Sequence, residues 1–383
     1  MNNQDVIAGQ DANVVKGNDN SVVSNSNNTI NNNVTNFISI YSDPDVNKGL
    51  TTRDVMSICD FMVNKALAEF NSANEKAIAR NKEFAQIFIP RLEKIENYVN
   101  HISDPKFQFL CRDAMTSAAK TDSVDDYKLL AELLSCHVEK GVNDKKIDSA
   151  ISHAIRIIDE VDNDALCALT VCHSINLTIF PEREMKNRLK ILDNLYGKVS
   201  YLELPCGNNW IEHLDMLKAV RIDSIQSFSK ISEFYPDAMS GYCCVGIEKN
   251  SEQYKEAVKE LTSAGLNESF LVENELLDGF VRLPVVNKNQ ILNISVKSLE
   301  ASRKVNDVEI NALNKVWDMY SYDQSQINNV KNHFMEIWDS FNNLKKIRTW
   351  WESLQMCFDV TPLGRVLAQI NAKRCISNFP DLI

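Results

Sequence analysis

Glycine is scarce in this chain, with 11 in 383 residues and two of those inside the first 17. A large sandwich or barrel needs many tight turns, and glycine is the residue that enters their strained conformations most cheaply. Its scarcity argues for helices joined by short turns. Long apolar runs are also missing. The best candidates, around Ile87 to Ile89 and Ala165 to Phe180, are interrupted by polar residues and fall short of the roughly 18 to 20 residues that a membrane span requires. Ten cysteines are present, but no CxxC pair and no regular framework. With no signal peptide ahead of them, they read as reduced, buried thiols of a cytoplasmic protein.

Positive charge is in deficit as well. Lys and Arg number 41 against 52 Asp and Glu, giving a formal charge of -11. Most of such a surface repels nucleic-acid phosphate, so nucleic acid is not an expected partner. The runs Lys345, Lys346, Arg348 and Lys373, Arg374 are small and read as solvated helix faces. What remains is near the globular average, with 44% hydrophobic and 24% charged residues, which excludes wholesale disorder.

The N-terminus carries a repeat of eight residues: Asp5-Val6-Ile7-Ala8-Gly9, Asn13-Val14-Val15-Lys16-Gly17, Ser21-Val22-Val23-Ser24-Asn25 and Thr29-Ile30-Asn31-Asn32-Asn33. Each block opens with a small side-chain acceptor. A β-branched pair follows in three blocks, and the fifth position is Gly or Asn, which tolerate left-handed backbone. Asp11, Asp19 and Asn27 fall in phase two positions later, suited to Asx-turns. The pattern predicts short strands and turns, the signature of stacked repeats. One copy of about 30 residues buries too little to offset roughly 1 to 2 kcal/mol of backbone entropy per residue. The tract is therefore expected to oligomerise, with Val6, Ile7, Gly9, Val14, Val15, Gly17, Val22, Val23, Asn25 and Ile30 at the contact. Calcium binding is set aside, because Ca²⁺ wants six or more oxygens and only two blocks carry the aspartate.

After Asp43-Pro44 and Gly49, Thr51-Thr52-Arg53-Asp54 reads as a helix start. Apolar residues recur at helical spacing from Val55 to Phe70, and Phe88, Leu92, Ile95, Val99 and Ile102 have coiled-coil seam spacing. Pro90 should kink that stretch or begin a new helix. Helices are then expected over 105–120, 124–140, 145–160, 165–180, 181–196, 210–234, 251–261, 308–320, 324–341 and 344–358. A last one starts at Thr361-Pro362. Phe280 to Val286 and Ile291 to Ile294 could form a small hairpin.

The expected fold is thus mainly α, a helical bundle or short α-solenoid with a β-roll-like tail. Its segments are 1–40, an oligomerisation repeat; 51–102, long amphipathic helices forming a stalk or hairpin; 103–200, a helical bundle; and 201–383, a mainly helical C-terminal domain.

Chemical signals are weak. Cys136-His137, Cys167 and Cys172-His173 do not have the spacing of metal ligands, and no nucleophile elbow or Gly-rich phosphate loop occurs. Pro236-Asp237 with Glu248-Lys249 only superficially matches a nuclease, since adjacent Glu and Lys face opposite ways on a strand. No catalytic residue, metal or cofactor is expected. Trp317, Trp338, Trp350 and Trp351 concentrate late in the chain and read as core. Trp350 and Trp351 are neighbours, so one is expected to face outward as a partner contact. Val360 to Ile376 is the candidate for a one-sided amphipathic helix.

Three features together, the Asn/Gly/Asp octad tail, Ser103-Asp104-Pro105-Lys106-Phe107-Gln108, and Thr361-Pro362-Leu363-Gly364-Arg365-Val366 running on to Phe379-Pro380-Asp381-Leu382, resemble a family of uncharacterised bacterial, mostly helical cytosolic proteins. Such proteins occur among anti-phage defence and mobile-element genes. The resemblance implies a role in defence and carries no catalytic residue. A homo-oligomeric scaffold or sensor is the expectation, with a sister copy as partner and a phage or host protein as a further candidate. A nuclease-like effector or a membrane-disrupting effector is the alternative.

Overall fold

The computed structural model describes residues 57, 60–64, 74–96, 98–141, 144–175, 182, 184–223, 225–297, 302–376 and 379. The octad repeat, and with it every expected oligomerisation residue, lies outside the described residues, as does the helix start at Thr51 to Asp54. The protein is mainly α-helical, with a few short strands. It divides into two compact units, Met1–Val138 and Glu139–Ile383.

In the first unit, α1 (Asn74–Leu92), α2 (Tyr98–Ile102), α3 (Pro105–Lys120) and α4 (Val124–Cys136) follow in order. The start signals at Asp104 and Ser123 work as their side chains suggest. The Asp104 carboxylate accepts from the Lys106 N–H at 2.9 Å, and the Ser123 hydroxyl accepts from the Asp126 N–H at 3.2 Å, each satisfying an orphan donor of the first turn. Helix α1 packs on both α3 and α4. Its Phe84 and Phe88 are buried and stack at 5.7 Å, and Phe84 meets the buried ring of Tyr127. The helix runs through Pro90 and stops two residues later, so the apolar seam from Phe88 to Ile102 is divided between α1 and α2. A proline cannot donate to the preceding turn, which weakens the helix where it ends.

In the second unit, α5 (Lys145–Ile157), α6 (Asn163–Ile175) and α7 (Met185–Val199) come first. They are followed by α8 (Asn209–Met216), β1 (Val220–Asp223) and α9 (Ile231–Ala238), then by β2 (Ile247–Glu248), α10 (Glu252–Ser263), β3 (Val272–Glu273) and β4 (Phe280–Arg282). The chain closes with β5 (Ser295–Lys297), β6 (Ser302–Lys304), α11 (Asp307–Asp318), α12 (Gln324–Ser340), α13 (Asn342–Trp351), β7 (Cys357–Val360) and α14 (Pro362–Cys375). Helix α14 lies against α5, α6 and α7 and is buried at nearly every position from Leu363 to Ala372. The segment read as a one-sided amphipathic helix is therefore a core helix. Helices α10 and α11 share a separate apolar cluster with the three-stranded sheet of order β2-β4-β3, centred on Leu261, Val281, Leu283 and Leu313.

Three expectations are corrected. The run 210–234 is not one helix, because Lys218 takes a left-handed backbone (φ 62°) and Ala219 N–H reaches back to the Leu214 carbonyl at 2.8 Å. That geometry closes a helix and sends the chain into β1. The run 344–358 ends as a helix at Trp351 and resumes as β7. The hairpin of 280–286 with 291–294 does not form: Phe280–Arg282 pairs with β2 and β3, while Lys288–Asn293 is 3₁₀-helical.

Helix α13 starts directly after α12, and an acceptor from elsewhere caps it. The Asp193 carboxylate of α7 accepts from the N–H groups of Asn343 and Leu344 at 2.8 and 3.2 Å, and from the Asn343 side-chain amide at 3.2 Å. Charged acceptors at a helix start hold both a hydrogen bond and the favourable end of the helix dipole. Asp193→Ala is expected to cost about 2 kcal/mol, read as a lower urea midpoint with unchanged slope.

Candidate functional site

The end of α6, the strand β7 and the start of α9 enclose a cleft of about 850 Å³. Cys172, His173 and Ile175 come from α6, and Gln226 to Ser229 form one rim. Ile231 and Phe234 come from α9, Trp351 closes α13, and Arg365 stands on the first turn of α14. All four residues of β7 line it.

Local chemistry explains how these pieces are held. Asp223 ends β1 by accepting from the N–H groups of Ile225 and Gln226 at 2.8 and 3.3 Å, an Asx-turn that redirects the chain along the rim. The Thr361 hydroxyl lies 2.7 and 2.9 Å from the Lys218 and Ala219 carbonyls and accepts from the Gly364 N–H at 3.1 Å. A Cβ at Gly364 would stand 2.0 Å from the Ala219 carbonyl oxygen, so only glycine lets α14 start this close to the β1 backbone.

Strand β7 pairs antiparallel with β1, Val220 facing Val360 and Asp223 facing Cys357. The Thr361 N–H donates to the Ala219 carbonyl. Hydrogen-bonded and non-hydrogen-bonded pairs alternate along such a ladder, so Cys357 and Asp359 turn their backbone groups toward β1. Phe358 and Val360 turn theirs away. Two contacts agree with this phase: Ile222 N–H, opposite Phe358, donates outward to Asp215 at 3.2 Å, and the Val360 carbonyl accepts from Arg365 Nε at 3.4 Å. Among the described residues no strand pairs with this outer edge of β7. All four residues of β7 border the cleft, Phe358 and Val360 with their outward-turned backbone among them, so the edge opens onto it.

The wall beside that edge is aromatic. Phe228 lies 4.6 Å from Trp351 and 5.1 Å, edge-on, from Phe358, and Phe358 meets Trp210 at 5.7 Å. Trp350 and Trp351, of which one was expected outside, are both buried at 7% and 8% exposure. Their indole N–H groups donate to the carbonyls of Pro205 and Ser229, each at 2.9 Å. Adjacent residues can both be buried here because α13 ends at Trp351, where two different loops cover the two rings. Trp351 still borders the cleft.

The His173 imidazole and the Cys172 and Cys357 thiols are held in their neutral forms. Burial, and then the charge of Arg365, push the His173 imidazole down to about 4. Its Nε2 is buried and has no hydrogen-bond partner among the described residues. Burial pushes the thiols of Cys172 and Cys357 up, and Asp223 adds to the effect at Cys357. Thiolate is the nucleophilic form, so these cysteines are poor nucleophiles. The residues of the nuclease-like pattern have other partners: Asp237 pairs with Lys331 at 2.7 Å, and Lys249 pairs with Glu273. No three His, Cys, Asp or Glu side chains among the described residues could hold a metal ion.

Sequence reasoning missed Phe228, Phe358 and Arg365. The alternation Cys357-Phe358-Asp359-Val360 just before Thr361-Pro362 is the signal that a strand, not the end of a helix, precedes α14.

A family model described only as ":-like" matches residues 49–382. The chain belongs to this family. The match spans both units, and its description names no activity. No curated protein and no solved structure matches the chain.

The depressed His173 pKa has a consequence for stability. The unfolded imidazole takes a proton near pH 6.5 and the folded one only near 4, so the unfolded state binds more protons between those values. Stability is expected to be full above about pH 6.5 and to fall as pH drops toward 4. In His173→Gln the corresponding part of the fall is lost, which urea midpoints at pH 7.5, 5.5 and 4.5 would record.

Proposed function

We propose that this protein is a non-enzymatic, homo-oligomeric scaffold or sensor of bacterial anti-phage defence, assembled through residues 1–40 and receiving a partner protein in the cleft of its second unit. The observation that carries the binding half is the cleft itself: a broad aromatic wall and a strand edge, with thiols kept protonated and an imidazole kept neutral. Such a lining offers shape, apolar area and backbone hydrogen bonds, and its thiols are poorly suited to attack a substrate. The assembly half rests on the octad pattern of paired Val and Ile with Gly or Asn, which needs sister copies to bury its apolar residues. The place in defence rests on the resemblance drawn from the sequence.

Deletion of residues 1–40 tests the assembly. Light scattering is expected to show a multimer for the full chain and a single-chain mass for the truncated one, with an unchanged far-ultraviolet helix signal. An equal number of subunits in both would overturn the assignment. Cleavage of plasmid or RNA by the purified full chain with Mg²⁺ would overturn the non-enzymatic reading.

A further inference from the structure

We infer that the cleft takes an extended peptide segment of a partner protein as a third strand against the outer edge of β7, with a carboxylate of that peptide seated by Arg365. The inference rests on reading the cleft as a binding surface and names the chemistry of its occupant.

Three observations converge on it. The first is the ladder phase. The N–H and C=O of Phe358 and the N–H of Val360 point away from β1 into the cleft, and strand edges of this kind accept an added strand through main-chain bonds. A helix cannot supply donors and acceptors at the two-residue interval that β7 presents; an extended backbone does. The second is the wall. Phe228, half-buried and backed by Trp351, stands beside that edge and offers a face for one bulky apolar side chain of an alternating peptide. The third is charge. Arg365 is exposed, lies at the Val360 end of the edge and is oriented by its 3.4 Å contact with the Val360 carbonyl. His173 beside it is neutral at physiological pH and adds no competing charge. The exposed Asp359 also lines the cleft and bears the opposite charge, so a carboxylate is best received at the Arg365 end. Two sources supply one, an acidic side chain or a chain terminus.

The probe is a set of fluorescein-labelled hexapeptides alternating Phe or Leu with Ser, ending in Glu with an amidated terminus, in Ser with a terminal carboxylate, or in Lys with an amidated terminus. Anisotropy is read on the full chain. Carboxylate-bearing peptides are expected to bind, and the Lys peptide about tenfold more weakly. N-methylation of alternate amides on one peptide edge should cost about tenfold, and on the other edge nothing. Arg365→Glu, an exposed change, should invert the preference toward Lys. Hydrogen exchange should slow at Phe358 and Val360 on binding, and not at Cys357 or Asp359. Equal effects of N-methylation on both edges, unchanged exchange at Phe358 and Val360, or no binding by any peptide would overturn the inference. The light-scattering and cleavage results bear on the broader functional reading and are independent of these outcomes.

Discussion

The second unit depends on the burial of α14 along most of its circumference. A helix with only one covered face can shift or rotate at little cost; one that is buried from Leu363 to Ala372 must satisfy its polar side chains internally. Asn371 shows how this is done. Its amide donates to the Thr170 hydroxyl of α6 at 2.8 Å, and its oxygen accepts from Arg374 at 3.1 Å, with Arg374 lying over the ring of Tyr201. The axial position of α14 is then fixed at its start, where Gly364 touches the Ala219 backbone and Thr361 bonds the Lys218 and Ala219 carbonyls. Everything immediately before the helix inherits that position. Strand β7 has no room to slide, and its pairing with β1 is set by the helix as much as by its own short ladder.

The parts of this fold that were legible in the sequence are those in which local chemistry and packing agree. Pro105–Lys120, Gln324–Ser340 and the Thr361-Pro362 start each carry a cap, a proline or an apolar stripe that tertiary contacts then reinforce. The expectation that the protein is mainly α rested on such segments and is met. Failures cluster where the chain turns without glycine. Lys218 adopts a left-handed conformation that a glycine or asparagine would have advertised, and the helical spacing of neighbouring apolar residues concealed it. The strands have two to four residues, too short for a period of two to stand out from one of 3.6.

The candidate site was less legible than the fold for the same reason. Trp350 and Trp351 were named together as a contact, for an exposure that neither has; the place of Trp351 at the cleft depends on Phe228, which lies in a stretch read as helix. Arg365 appeared only as one letter in the closing motif. Cys172 and His173 drew attention as possible metal ligands, yet a position beside an aromatic wall leaves Cys172 buried, His173 half-buried and both neutral. Desolvation disfavours charge on either group, and no sequence pattern reports desolvation directly.

Recession of the β7 edge also resolves a physical difficulty. An unpaired strand edge invites pairing with any other edge, including that of a second copy, and proteins cover, charge or twist such edges to avoid it. Here the edge opens inside a concave space bounded by the end of α6, the 226–229 rim and α9, while Arg365 caps the Val360 carbonyl. A sheet edge belonging to another folded domain brings its neighbouring strands and loops with it, and these need room that a concave site restricts. A single extended segment has no such bulk. The geometry that makes the edge safe from broad self-association therefore also selects the narrowest partner that can reach it.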